Sequence, residues 1–121
     1  VVRFVVPGIL ICLLAGCGDD RGVLTTSEVK AIEVVFSSAE QSPEVMEKWA
    51  RNCALCHVNG EGGAPVMGDV ESWQPRLERG NAMLYTHTLE GFNRMPPLGY
   101  CMDCTGEDFA AMINLLAGRA K

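Results

Sequence analysis

The chain has 121 residues and a mass of 13.1 kDa, with 48% hydrophobic and 21% charged residues. That is a globular composition with room for one domain, which excludes a coiled-coil rod, a collagen-like fibre and a two-domain enzyme, and a net charge of −5 with a pI near 4.9 argues against a nucleic-acid partner, which needs a basic face. Aromatic residues make up only 7%, so so small a core calls for covalent cross-links or a bound cofactor, and six cysteines and six methionines beside two histidines suggest the source.

Residues 1–16 read as an export signal. Arg3 precedes an apolar, uncharged run that closes on small residues, and the run falls short of the about 20 residues that span a bilayer. Leu14-Ala15-Gly16-Cys17 resembles the lipobox of bacterial lipoproteins, in which the cysteine becomes the first mature residue and takes a diacylglyceryl group. The resemblance implies a signal peptide over 1–16, lipidation of Cys17, and a mature protein held on a bacterial membrane facing the periplasm. Acyl chains contribute about 0.8 kcal/mol per buried CH₂, so two or three of them make a lasting anchor. The competing reading is an ordinary secretory signal with an incidental cysteine. Loss of Arg3 would move the net charge from −5 to −6.

Residues 17–42 read as a lipid-anchored tether, within which Val29, Ile32, Val35 and Phe36 recur at helical spacing and allow a short amphipathic helix. The compact domain is expected over 43–121. Ser42 is placed to cap a helix opening on Pro43, with Val45, Trp49 and Cys53 on one face. It should end near His57, because Asn59-Gly60-Glu61-Gly62-Gly63 cannot sustain a helix. Residues 63–73 read as irregular. A short helix is expected over 74–78 with Pro75 in its first turn, and another over 82–90 that stops at Gly91. The last helix is the clearest: Thr105 and Asp108 have capping-box spacing, and Phe109, Met112, Ile113 and Leu116 follow at i, i+3, i+4 and i+7. No alternating strand pattern stands out, so the predicted class is all-α.

Cys53-Ala54-Leu55-Cys56-His57 is C-x-x-C-H, the signature of covalent c-type haem attachment. Two thiols one helical turn apart add across the two haem vinyl groups, and the adjacent histidine then faces the iron. Chance alone gives roughly one such motif in two hundred chains of this composition. Three other readings compete. A thioredoxin-like redox pair expects a βαβ setting, and a structural disulfide leaves His57 without a role. Zinc held by Cys53, Cys56, Cys101 and Cys104 has the right donors, but the separation of the two pairs exceeds the usual ribbon spacing.

Iron that carries electrons without binding small molecules needs a second axial ligand. Asn93-Arg94-Met95-Pro96-Pro97 offers a soft thioether in a loop stiffened by two prolines. The other methionines, Met46, Met67, Met83, Met102 and Met112, read as packing residues. His87 is the alternative ligand; its place on a predicted helix makes it read as an ordinary helical side chain.

With these residues in view, the chain resembles the class I cytochromes c, in particular the short cytochromes of the c-five group. The likeness runs over about 49–116 and rests on Cys53-Ala54-Leu55-Cys56-His57, Gly63-Ala64-Pro65, Trp73-Gln74-Pro75-Arg76, Met95-Pro96-Pro97 and Gly99-Tyr100-Cys101-Met102-Asp103-Cys104. The last stretch is the most specific, and the resemblance implies a Cys101–Cys104 disulfide. It also implies that the Pro65 carbonyl accepts from His57, and that Trp73 and Arg76 lie by the haem propionates. The implied fold crosses N- and C-terminal helices around one covalent haem, with Trp49 buried against Phe109 and Ile113. The implied function is one-electron transfer between redox donor and acceptor proteins, with haem c and its iron as cofactor and no small-molecule substrate. The acidic balance suggests a basic partner whose docking weakens with salt. Two other roles stay open: a haem c subunit of a larger membrane oxidoreductase complex, and a haem sensor or peroxidase if Met95 is not a permanent ligand.

Overall fold

The structure is a computed structural model and describes residues 23–119. Cys12, Cys17 and the whole export-signal reading lie outside the described residues. Six α-helices account for most of what is described: α1 (Thr26–Ser38), α2 (Pro43–Arg51), α3 (Ala54–His57), α4 (Val70–Leu77), α5 (Asn81–Glu90) and α6 (Gly106–Leu116). The sole β pairing among the described residues is an isolated bridge between Phe92 and Met95.

Helix α6 is the centre of the packing. Thr105 Oγ1 accepts from the Asp108 N–H at 3.3 Å and the Asp108 carboxylate accepts from the Thr105 N–H at 2.8 Å, a reciprocal cap that satisfies two otherwise orphan donors. Ala110, Ala111 and Met112 are all but inaccessible, and the two alanines let neighbouring helices approach closely. Helix α2, capped by the Ser42 hydroxyl on the Val45 N–H, packs across α6. Trp49 fills the join between the cluster containing Ile113 and the cluster containing Phe109, its indole N–H buried without a hydrogen-bond partner. Lys48 Nζ and Asp108 Oδ2 close the same contact at 2.6 Å.

Helix α1 corrects the expected division of the chain. It opens with a capping box of its own, in which Thr25 Oγ1 accepts from the Glu28 N–H and the Glu28 carboxylate accepts from the Thr25 N–H at 2.7 Å. Phe36 is buried at 5% exposure among Trp73, Leu84, Ala110, Ile113 and Leu116, edge-on to the Tyr85 ring. Asn114 Nδ2 donates to the Phe36 carbonyl at 3.0 Å, and Asn81 Nδ2 to the Glu33 carboxylate at 2.7 Å. Residues 26–38 therefore belong to the folded body and not to a tether reaching 42. The physical reason is the apolar face ending in Phe36, which is wide enough to be covered by α5 and α6.

Two smaller boundaries also differ. The helix expected over 43–57 is interrupted at Asn52, whose backbone N–H and side-chain Nδ2 both turn to the Lys48 carbonyl, at 3.2 and 2.9 Å. The C-x-x-C-H segment follows that break, with Ala54–His57 forming the separate short helix α3. Helix α4 starts at Val70, so Trp73 is helical, and Pro75 sits inside the helix instead of its first turn. Pro75 has no N–H to give the Glu71 carbonyl, and the helix ends two residues later at Leu77.

Candidate functional site

A mostly apolar cleft of about 1180 Å³, its open mouth included, runs between α3, the loop at 61–65, helices α4 and α5, and the loop at 92–100. Trp73, Leu84, Ile113 and Leu116, the residues that pack on Phe36, line it from the core side. Cys53, Cys56, His57 and Met95 all face the same cleft, as do Pro65 and Arg76.

Cys53 and Cys56 are free thiols, and the Cys56 N–H bonds to the Cys53 carbonyl at 3.2 Å, so the two lie one turn apart. Burial pushes the Cys53 thiol up to about 11, the opposite of what a reactive dithiol pair requires. Together with the lack of any βαβ unit among the described residues, this removes the thioredoxin-like reading. Cys101 and Cys104 are joined in a disulfide with Cα atoms 5.4 Å apart. The described residues therefore offer no set of four thiolates, and zinc loses its site.

His57 is buried, and its Nδ1 lies 2.8 Å from the Pro65 carbonyl. A carbonyl can only accept, so Nδ1 carries the proton and Nε2 keeps a lone pair for a metal. Burial pushes the imidazole pKa below its usual value despite the Pro65 carbonyl, and the Arg76 charge adds to the push. A neutral imidazole is the form that ligates iron. The loop that holds Pro65 is itself pinned. The Met67 N–H donates to the His57 carbonyl at 2.8 Å and the Trp73 indole N–H to the Val66 carbonyl at 2.7 Å.

That last bond gives the Trp73 indole a partner within the chain. Its N–H is engaged by the Val66 carbonyl, next to the Pro65 that orients His57, and the Trp73 and His57 ring centroids lie 6.2 Å apart. Arg76 lines the cleft with one guanidinium N–H on the Ser72 carbonyl, and its other donors remain able to meet a carboxylate there.

Met95 is presented by a tight turn. Phe92 and Met95 exchange two backbone hydrogen bonds, at 3.1 and 2.9 Å, around Asn93 and Arg94. Asn93, Leu98 and Tyr100 are the non-glycine residues with positive φ among those described, and all three fall in this loop, where strain of about 1–3 kcal/mol per residue persists only if the surroundings enforce it. Gly91 is required ahead of the turn, since a Cβ there would lie 2.9 Å from the Met95 carbonyl at φ +85°. His87, read from sequence as an ordinary helical side chain, also lines the cleft and stacks on Phe92 with ring centroids 3.9 Å apart. Nothing in the residue spacing signals that contact.

The family described as "Cytochrome C oxidase, cbb3-type, subunit III" matches residues 40–116, more than half of the chain. The chain belongs to this family of class I cytochromes c. Among its relatives, cytochrome c5 of Azotobacter vinelandii is 35% identical over 71 residues, covering 57% of this chain and 86% of that protein. Cytochrome c-555 of Chlorobaculum tepidum is 30% identical over 74 residues, 58% of this chain and 68% of that protein. A chain in the crystal structure of an electron-transfer complex of nitrite reductase with cytochrome c superposes with a TM-score of 0.59 and 27% identity, over 68% of this chain and 100% of its own length. The cytochrome thus has the all-α class I fold, takes covalent c-type haem with its iron, and is an electron carrier rather than an enzyme. The residues present suit that group: two free thiols one turn apart, a neutral imidazole with a directed lone pair, a thioether and a guanidinium share one apolar cleft. Helix α1 precedes the matched residues and adds to the fold ahead of them.

Proposed function

We propose that this cytochrome holds its haem through thioethers at Cys53 and Cys56, with His57 and Met95 as axial ligands, and carries single electrons at the periplasmic face of a bacterial membrane, anchored by lipid on Cys17. The haem iron supplies the one-electron Fe(II)/Fe(III) chemistry. The observation that carries the reading is that the two free thiols, the lone-pair nitrogen of His57 and the Met95 thioether line one apolar cleft.

Each side chain then has a defined task. Pro65 fixes the His57 ring and raises its basicity, Trp73 steadies the Pro65–Val66 segment, and Arg76 neutralises a propionate at the cleft wall. The loop at 92–100, closed by the Phe92–Met95 hydrogen bonds, would hold the Met95 thioether at the cleft for the iron. A thioether ligand and an apolar cleft favour a high potential. The disulfide Cys101–Cys104 ties the exit of that loop to the start of α6.

The deciding experiment is the visible spectrum of protein matured in a periplasm. The oxidised protein shows the weak far-red sulfur-to-iron band, the reduced protein excludes carbon monoxide, and Met95→Ala reverses both. A wild-type protein that binds carbon monoxide makes it a haem sensor or peroxidase instead. Mass spectrometry of the mature chain tests the anchor, which fails if the chain begins elsewhere than at a diacylated Cys17. A second reading, a haem subunit within a membrane oxidase, is favoured by the family description covering residues 40–116. Co-purification with a larger complex from detergent-solubilised membranes selects it over a free shuttle. The acidic charge favours a basic partner, and reduction by that partner slows as salt rises.

A further inference from the structure

We propose that His87 is a positioning residue for the Met95 side of the cleft: its imidazole, stacked face to face on Phe92, holds the 92–95 turn that presents the thioether. The proposal rests on Met95 being an axial ligand. His87 sits in the last turn of α5, and its ring lies 3.9 Å from the Phe92 ring, inclined by only 13°. Phe92 is 42% exposed and joins neither buried cluster, so this stack is what ties its side chain to a rigid helix. The backbone of Phe92 pairs through both its N–H and its C=O with Met95.

Three features make the turn dependent on such a clamp. Two backbone hydrogen bonds close it, and its exposed tip carries Asn93 at φ +55°. A left-handed non-glycine residue relaxes when its surroundings allow. The close approach of Gly91 to the Met95 carbonyl and Pro97 fixes only the entry to the turn and leaves the Phe92 side chain to the stack. Without the stack, the turn opens towards solvent and takes Met95 with it. His57 gains no such freedom, because Pro65 and Trp73 hold its segment independently.

The test uses the matured holoprotein with His87→Ala, His87→Phe and Phe92→Leu, and Met95→Ala as reference. Three quantities are read: the far-red band of the oxidised protein, its affinity for added imidazole, and the midpoint potential. The expected result is a weakened band and about tenfold tighter imidazole binding in His87→Ala and Phe92→Leu, the size of one lost aromatic pair. His87→Phe keeps the wild-type band and affinity, because it preserves the stack without the ring nitrogens. If His87→Ala fails to mature, Phe92→Leu removes the same contact from the other side. Wild-type band, affinity and potential in both destacked variants overturn the proposal, and so does a His87→Phe protein that behaves like His87→Ala. A wild-type protein with no far-red band, or a band that persists in Met95→Ala, removes the Met95 reading and the proposal with it.

Discussion

Replacing Phe36 by alanine tests whether α1 is part of the cytochrome or a tether beside it. The Phe36 ring is buried at 5% exposure and packs on Trp73, Leu84, Ile113 and Leu116, which are also the core-side wall of the cleft. Deleting a ring from such a site costs about 3–5 kcal/mol, the lost transfer energy plus the cavity left behind. In a domain of this size each kcal/mol moves the thermal midpoint by about 4–8 °C, so a loss near the lower figure lowers it by roughly 12–24 °C. The assay is thermal unfolding of the holoprotein, followed by far-UV circular dichroism and by the haem absorption, which should shift together because the cluster is shared. Val34→Ala on the exposed side of the same helix is the control and should change stability by less than about 0.5 kcal/mol. A Phe36→Ala protein melting within about 3 °C of wild type would falsify the packing argument for α1.

Asp108 caps α6 and pairs with Lys48. Burial alone would raise its pKa, but the Lys48 ammonium and the Thr105 N–H hold it below the usual carboxylate range. A depressed carboxylate contributes stability above its unfolded pKa of about 3.9 and loses it as pH falls through the lower folded value. Asp108→Asn should therefore cost about 1 kcal/mol at neutral pH and make the acid limb below about pH 4 less steep; parallel stability–pH curves for the two proteins would contradict this. Gly106→Ala places a Cβ 2.5 Å from the Tyr85 hydroxyl and should destabilise by about 1–3 kcal/mol. In a Tyr85→Phe background the clash is gone and the helix-propensity gain of up to about 1 kcal/mol should appear; denaturant midpoints of the four proteins check the change of sign.

Covalent spacing alone determined what lies within a turn or two of chain. Cys53, Cys56 and His57 fall within one helical turn because only a few bonds separate them, and the Thr105–Asp108 cap and the apolar face of α6 are legible for the same reason. The Thr25–Glu28 cap carries an equally local signal, which marks α1 as a helix but says nothing of where it packs. Tertiary structure decided that. Phe36 and Asn114 are 78 residues apart in the chain, and their contact exists because α5 and α6 together cover an apolar face that α1 cannot bury alone. The same holds for Trp73, whose N–H meets the Val66 carbonyl because α4 begins early enough to turn the indole onto it, and for His87, which meets Phe92 across Gly91, where α5 ends at a positive φ. Local hydrogen bonds and thiol spacing act through a handful of dihedrals and can be read in order, whereas packing is a competition among all the surfaces the chain presents, settled only when the chain has folded.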